Sequence, residues 1–168
     1  MERVALRRTT AIACAEVGFV AVLPLAASSD QKTAPATACA YLHPWLQSAS
    51  ALDRPTFNAN GGVSNSDSSD TQEIRCPLHR DDVTGKPTGV EVYYYDGHAT
   101  QAIECRVLHH KGFGSISWSS MVSSSANYGT LSPSLPSTEV DYAFYTIECH
   151  LPPDTGTSSW VYGYWWEE

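Results

Sequence analysis

Basic residues are scarce in this chain of 168 residues: ten side chains are Lys or Arg against eighteen Asp or Glu. From Ser28 onward seven basic side chains face sixteen acidic ones. A surface of that sign repels phosphate backbones, which excludes nucleic acid as a partner. Several catalytic signatures are missing too. No H-E-x-x-H pairs two histidines on a helix, and no G-x-S-x-G forms a nucleophile elbow. No C-x-x-C offers a zinc or redox site. Coiled-coil heptads are absent, and so is any second long apolar run after Leu25. No cofactor is implied, and no membrane span is expected in the mature chain.

Three segments repeat one pattern: Ile, any residue, Cys, any residue, then Leu or Val. They are Ile74-Arg75-Cys76-Pro77-Leu78, Ile103-Glu104-Cys105-Arg106-Val107 and Ile147-Glu148-Cys149-His150-Leu151. Alternation at period two marks a strand with one buried face. The cysteine falls on the apolar face each time. Such cysteines are core staples rather than exposed nucleophiles, and they point to an oxidising compartment.

The N-terminus gives the same address. Arg3, Arg7 and Arg8 precede an apolar stretch from Ala11 to Leu25, and Ala26, Ala27, Ser28 and Ser29 follow. Basic, apolar and small, in that order, is the layout of a secretory signal, with cleavage expected after Ala27 or Ser28. Glu16 interrupts the apolar run and leaves Val17 to Leu25 as its clean core. An uncleaved anchor is the lesser reading. Residues 1–27 are thus read as a signal peptide, 28–38 as a flexible lead-in and 39–168 as a single domain, secreted or periplasmic.

Cys14 lies in the expected signal, which leaves Cys39, Cys76, Cys105 and Cys149. Four cysteines allow three connectivities. Cys39–Cys76 with Cys105–Cys149 is favoured, because the first pair joins sequence neighbours and the second joins two nearly identical strands. Each bond would close a long loop and contribute up to about 4 kcal/mol in the chain-entropy model.

About seven strands are expected. Phe57 to Val63 reads as a strand broken by Gly61-Gly62, and Gln72 to Leu78 as one ending near an edge at Pro77. Val90 to Tyr95 turns Val90, Val92 and Tyr94 inward, and Ala102 to His109 buries Ile103, Cys105 and Val107. Ser115 to Ser120, Asp141 to Leu151 and Ser159 to Trp166 complete the set, while Ser123 to Pro136 reads as loop. Short strands separated by turn residues predict an all-β, two-sheet antiparallel β-sandwich stapled by disulfides.

These residues resemble an uncharacterised family of small secreted four-cysteine proteins of Gram-negative bacteria. The likeness is carried by Gly62-Val63-Ser64-Asn65, by Cys76-Pro77-Leu78-His79-Arg80-Asp81, and by Val90-x-Val92 with Asp96. Ile103-x-Cys105, Tyr145-x-Ile147-x-Cys149-x-Leu151-Pro152 and the closing aromatic strand with Glu167 complete it. The resemblance implies a secreted β-sandwich and no particular activity.

Three functions from different classes fit. The first is a non-catalytic structural or interaction protein, whose partner would be a glycan or another envelope or extracellular protein. The second is a carbohydrate-binding module. Trp160, Tyr162, Tyr164 and Trp166 alternate with Val161, Gly163 and Trp165, so one set is expected in the core and the other outside. Tyr93, Tyr95, Trp165 and Trp166 are the candidate ligand surface, since exposed apolar patches mark interaction sites. The third is a secreted hydrolase drawing on six histidines, many serines and Asp81-Asp82. It requires a cleft in which these converge. No catalytic or metal residue is assigned. Asn65, Asp67, Ser69 and Asp70 crowd oxygens into one loop, but the EF-hand pattern fails, with Cys76 at its twelfth position.

Overall fold

A computed structural model describes residues 30–41, 55–81, 86–111, 114–125, 127–137 and 143–168. The expected signal peptide lies outside these residues. Twelve strands occur among them. They are β1 (Gln31–Pro35), β2 (Ala40–Tyr41), β3 (Thr56–Phe57), β4 (Val63–Ser64), β5 (Gln72–Leu78) and β6 (Gly89–Tyr95). There follow β7 (Glu104–Lys111), β8 (Ser115–Trp118), β9 (Val122–Ser123), β10 (Tyr128–Leu131), β11 (Phe144–Leu151) and β12 (Trp160–Glu167). One 3-10 turn, Ala36–Ala38, joins β1 to β2. Among the described residues no helix is long and apolar enough to cross a membrane.

The strands form two antiparallel sheets. The first runs β10-β6-β12-β4-β3, and β1 pairs with β12 beside β4. The second runs β2-β5-β11-β7-β8, and β9 pairs with β7 beside β8. The three Ile-x-Cys motifs are therefore three neighbouring strands of one sheet, with the third motif in the middle. Their registers set Ile147 against both Cys76 and Val107, and Cys149 against both Ile74 and Cys105. Their inward residues meet Val90, Val92, Tyr94, Val161, Tyr164 and Trp166 of the other sheet in one core. Each fully buried aliphatic side chain there contributes about 1.5–3 kcal/mol. The expected two-sheet β-sandwich is the observed fold.

The disulfides are Cys39–Cys76 and Cys105–Cys149. The second joins residues directly opposite each other on β7 and β11, their Cα atoms 4.2 Å apart. The second bond lies within the second sheet, and the first ties the end of the 3-10 turn, just before β2, to β5 of the same sheet. The sheets are linked differently. The Tyr164 hydroxyl donates to the Pro77 carbonyl across the sandwich, at 2.9 Å. Pro77 lies beyond the reach of β2, which pairs only with Ile74 and Arg75, so the missing amide hydrogen leaves that edge undisturbed.

Three expectations need correction. Residues 28–38 are not wholly a flexible lead-in: Gln31–Pro35 pairs in register with Gly163–Glu167, and Asp30 and Glu168 exchange backbone hydrogen bonds of 3.2 and 3.1 Å. The 57–63 segment is a hairpin rather than a strand. Gly61 takes a left-handed conformation at φ 82°, and Asn58 Oδ1 accepts from the amides of Asn60 and Gly62. Finally, Ser123 to Pro136 is not all loop, since Tyr128–Leu131 forms the edge strand beside β6.

Candidate functional site

The first sheet turns a band of aromatic rings outward. Register sets Tyr128, Tyr95 and Trp160 in one row across β10, β6 and β12. The rings of Tyr95 and Tyr128 touch, with centroids 4.5 Å apart and planes tilted by 41°. Tyr162 joins them: burial raises its phenol pKa, and the neighbouring Tyr128 and Tyr95 raise it further. Two residues along β6, Tyr93 lies between Thr130 and Gly163. Two further on, Glu91 lies opposite Trp165, and the Tyr93 hydroxyl donates to Glu91 Oε2 at 3.5 Å. The Trp165 ring leans over Gly89, where a Cβ would sit 3.2 Å from Cζ3. From Tyr95 to Glu91 the band runs about 13 Å along the strand. Tyr128 is 70% exposed and Tyr93 41%.

A β-bulge decides which rings face out. The β12–β6 register shifts between Val161 and Gly163, so Tyr162 is an extra residue. Beyond it the alternation is inverted relative to a regular strand. Val161, Tyr164 and Trp166 all point into the core, and Trp160 and Trp165 point outward. Of the residues singled out from sequence, Tyr93, Tyr95 and Trp165 share the outer face. Trp166 does not belong with them: it is 3% exposed and stacks on Tyr164 at 5.7 Å. Tyr128 and Trp160 belong to the face and were not singled out. Tyr128 fell in a stretch read as loop, and strict alternation grouped Trp160 with the core residues Tyr164 and Trp166.

The outer face of the second sheet differs in chemistry. Glu148, 1% exposed, lies between Arg75 and Arg106 on the neighbouring strands. Arg75 donates to its Oε2 from Nε and Nη2 at 3.1 and 2.9 Å, and Arg106 donates to Oε1 at 2.7 Å. Burial alone would raise the Glu148 carboxyl; the two guanidinium groups outweigh it and hold it below its usual value. Glu73 moves the other way, raised by burial and then by the Glu148 charge. Glu73, Glu148 and His150 bring their ligand atoms within 4.8 Å of one another, but Arg75 and Arg106 already neutralise that cluster. Asp30, Asp81 and Glu168 form a second group, and Lys32 bridges it. Beside the arginines, Phe144, Ile116 and Trp118 form an exposed apolar patch, with Arg106 stacked under the Trp118 ring at 5.5 Å.

Other sequence candidates resolve into supporting structure. In the 65–70 loop, Asp67 Oδ1 accepts from the Ser69 amide and hydroxyl and the Asp70 amide, while Asn65 holds the Asp67 amide and the Leu151 carbonyl. Those oxygens serve the turn itself. A Ser–His contact does occur, between Ser117 Oγ and His109 Nδ1 at 3.2 Å. His109 is fully buried and stacked on Tyr145, and burial and then the charges of Lys111, His110 and Arg80 lower its pKa. Its facing charges are cationic, the opposite of the carboxylate that orients a catalytic histidine. A shallow cavity of about 280 Å³ opens beyond Tyr95 and Tyr128, lined by Asp96, His98, Thr100, Gln101, Ser124 and Asn127. Asp96 there accepts from the hydroxyls of Ser124 and Ser159 and the His98 amide, which ties the loops together.

Neither a protein-family model nor a curated protein matches the chain. Two solved structures are similar in shape. One is a family two carbohydrate esterase from Cellvibrio japonicus, at 8% identity and a TM-score of 0.48, over 83% of this chain and 34% of that one. This chain thus spans about a third of the esterase. The other is the low-affinity xylan-binding module CBM86 from Roseburia intestinalis, at 12% identity and a TM-score of 0.46, over 82% of this chain and 94% of that one.

Proposed function

We propose that this protein is a non-catalytic, secreted or periplasmic β-sandwich that binds a glycan on the outer face of its first sheet. One observation carries the reading: Tyr128, Tyr95 and Trp160 stand in a cross-strand row that continues through Tyr93 to Trp165. Aromatic faces stack on sugar rings, while phenol and carboxylate groups between them accept and donate hydrogen bonds to sugar hydroxyls. The two disulfides support an oxidising, extracytoplasmic compartment. Protein from the native host should begin near Ser28 or Ser29, and a soluble cytosolic form starting at Met1 would overturn the secretory part.

A glycan array followed by tryptophan-fluorescence titration tests the binding reading. Each stacked ring contributes about 0.5–1.5 kcal/mol beyond burial. Y128A with Y93A should therefore weaken affinity about tenfold or more while the protein stays folded. A second reading, docking of another extracellular protein, rests on the exposed patch of Ile116, Trp118 and Phe144. Loss of glycan binding in W118A/F144A, with Y128A/Y93A unaffected, would move the site to that sheet.

A further inference from the structure

The two outer faces differ in charge: the second sheet carries Arg75 and Arg106 together with Glu73 and Glu148, whereas the outer face of the first carries acidic residues and no basic ones on its described strands. On the first sheet the outward strand positions include Glu91 and Glu167, and none of them is Lys or Arg. Lys32 of β1 points the other way, sharing the side of Trp166, and is held by Glu168 at 2.7 Å and Asp81 at 3.1 Å. The arginines that occupy a sheet face, Arg75 and Arg106, are on the opposite side of the sandwich and committed to Glu148. The formal net charge of −8 adds a long-range field of the same sign.

We infer that the face selects neutral glycans and rejects acidic ones, and that Glu91 is the residue setting this selectivity. The inference rests on the glycan reading above. Glu91 sits at the Trp165 end of the band, opposite Trp165 and within reach of the Tyr93 hydroxyl. A carboxylate so placed accepts hydrogen bonds from sugar hydroxyls, which are stronger for its charge. A uronate or sulfate brought to the same position meets a second anion, with no outward Lys or Arg on these strands to separate them. Like-charge juxtaposition of this kind is how interfaces exclude wrong partners. Glu167 repeats the arrangement at the end of the band, where it accepts from the Thr88 hydroxyl at 3.1 Å.

Affinity electrophoresis at low salt decides the point, with arabinoxylan, mixed-linkage β-glucan and galactomannan as neutral probes and polygalacturonate and alginate as acidic ones. Wild type should be retarded by at least one neutral polymer and by neither acidic one. E91K should acquire retardation by the acidic polymers and lose about tenfold on the neutral one, with an unchanged unfolding midpoint. E91Q should retain the neutral ligand with a loss of several-fold. Wild-type retardation by polygalacturonate or alginate equal to that by the neutral probes would overturn the selectivity and leave the glycan face standing. Acidic-polymer binding that stays absent in a folded E91K would overturn the role of Glu91. Retardation by no polymer at all would overturn the glycan reading, and this inference with it.

Discussion

The Tyr164 hydroxyl donates to the Pro77 carbonyl at 2.9 Å, tying the last strand of one sheet to the first Ile-x-Cys strand of the other. Burial pushes the Tyr164 phenol up to about 12, against about 10 in an unfolded chain. A folded pKa above the unfolded one gives stability that is present below pH 10 and lost as pH rises toward 12. Y164F should cost about 1 kcal/mol at pH 7. It should also flatten the fall in urea midpoint between about pH 10 and 12 relative to wild type. An unaltered alkaline slope would show that the phenol is not the group responsible.

Glu148 makes a prediction of opposite sign. Its folded pKa is depressed, so its contribution is present above the unfolded value of about 4.3 and lost as pH falls through the folded one. Replacing both partners, as R75M/R106M, leaves a buried carboxylate uncompensated, at a cost of about 3–5 kcal/mol. Thermal melts of that variant should become more stable on acidification, where wild type becomes less so. Adding E148Q should recover much of the loss at pH 7.

Removal of either disulfide should cost about 2–5 kcal/mol, since each closes a loop of roughly 40 residues. Mass spectrometry of the unreduced protein should show four hydrogens missing and no free thiol after residue 38. C105A/C149A removes a bridge between two ladder neighbours and C39A/C76A one at the edge of the sheet. Four thiols alkylated in native buffer would contradict the pairing.

Trp165 and Trp166 are adjacent in sequence and should respond in opposite ways. W166A empties a core position and should cost about 3–5 kcal/mol. W165A should leave the fold largely intact and reduce glycan affinity. In acrylamide quenching, Trp118 and Trp165 should be accessible and Trp166 shielded. Stronger quenching of Trp166 than of Trp165 would contradict the bulge.

Much of the second sheet was legible because period-two alternation is unbroken there. Gln72–Leu78 occupies the expected span, and the expected inward residues of the motif strands are the buried ones. The first sheet was harder to read for a local reason. One extra residue at Tyr162 inverts the alternation after it, and its one mark in the sequence is the lone Gly163 that follows, an interior glycine of the kind that accompanies a bulge. Tyr128–Leu131 escaped because Ser, Asn and Pro flank a strand of four residues, too short to show a period. The patch of Ile116, Trp118 and Phe144 lies on strands that were expected. Its formation depends on the order of β8, β7 and β11 across the sheet, which sequence spacing does not encode.

The paired ends of the described chain have a practical consequence. Asp30 and Glu168 lie side by side just beyond the paired ends of β1 and β12, whereas the row of Tyr128, Tyr95 and Trp160 crosses β12 at its far end, about 23 Å away. A tether fused at either residue therefore emerges from one shared spot remote from that row and about 10 Å along the strand from Trp165. The same adjacency suits circular permutation: a few linking residues would bridge 168 to 30, and the domain could be inserted into a host loop with its aromatic band still facing solvent.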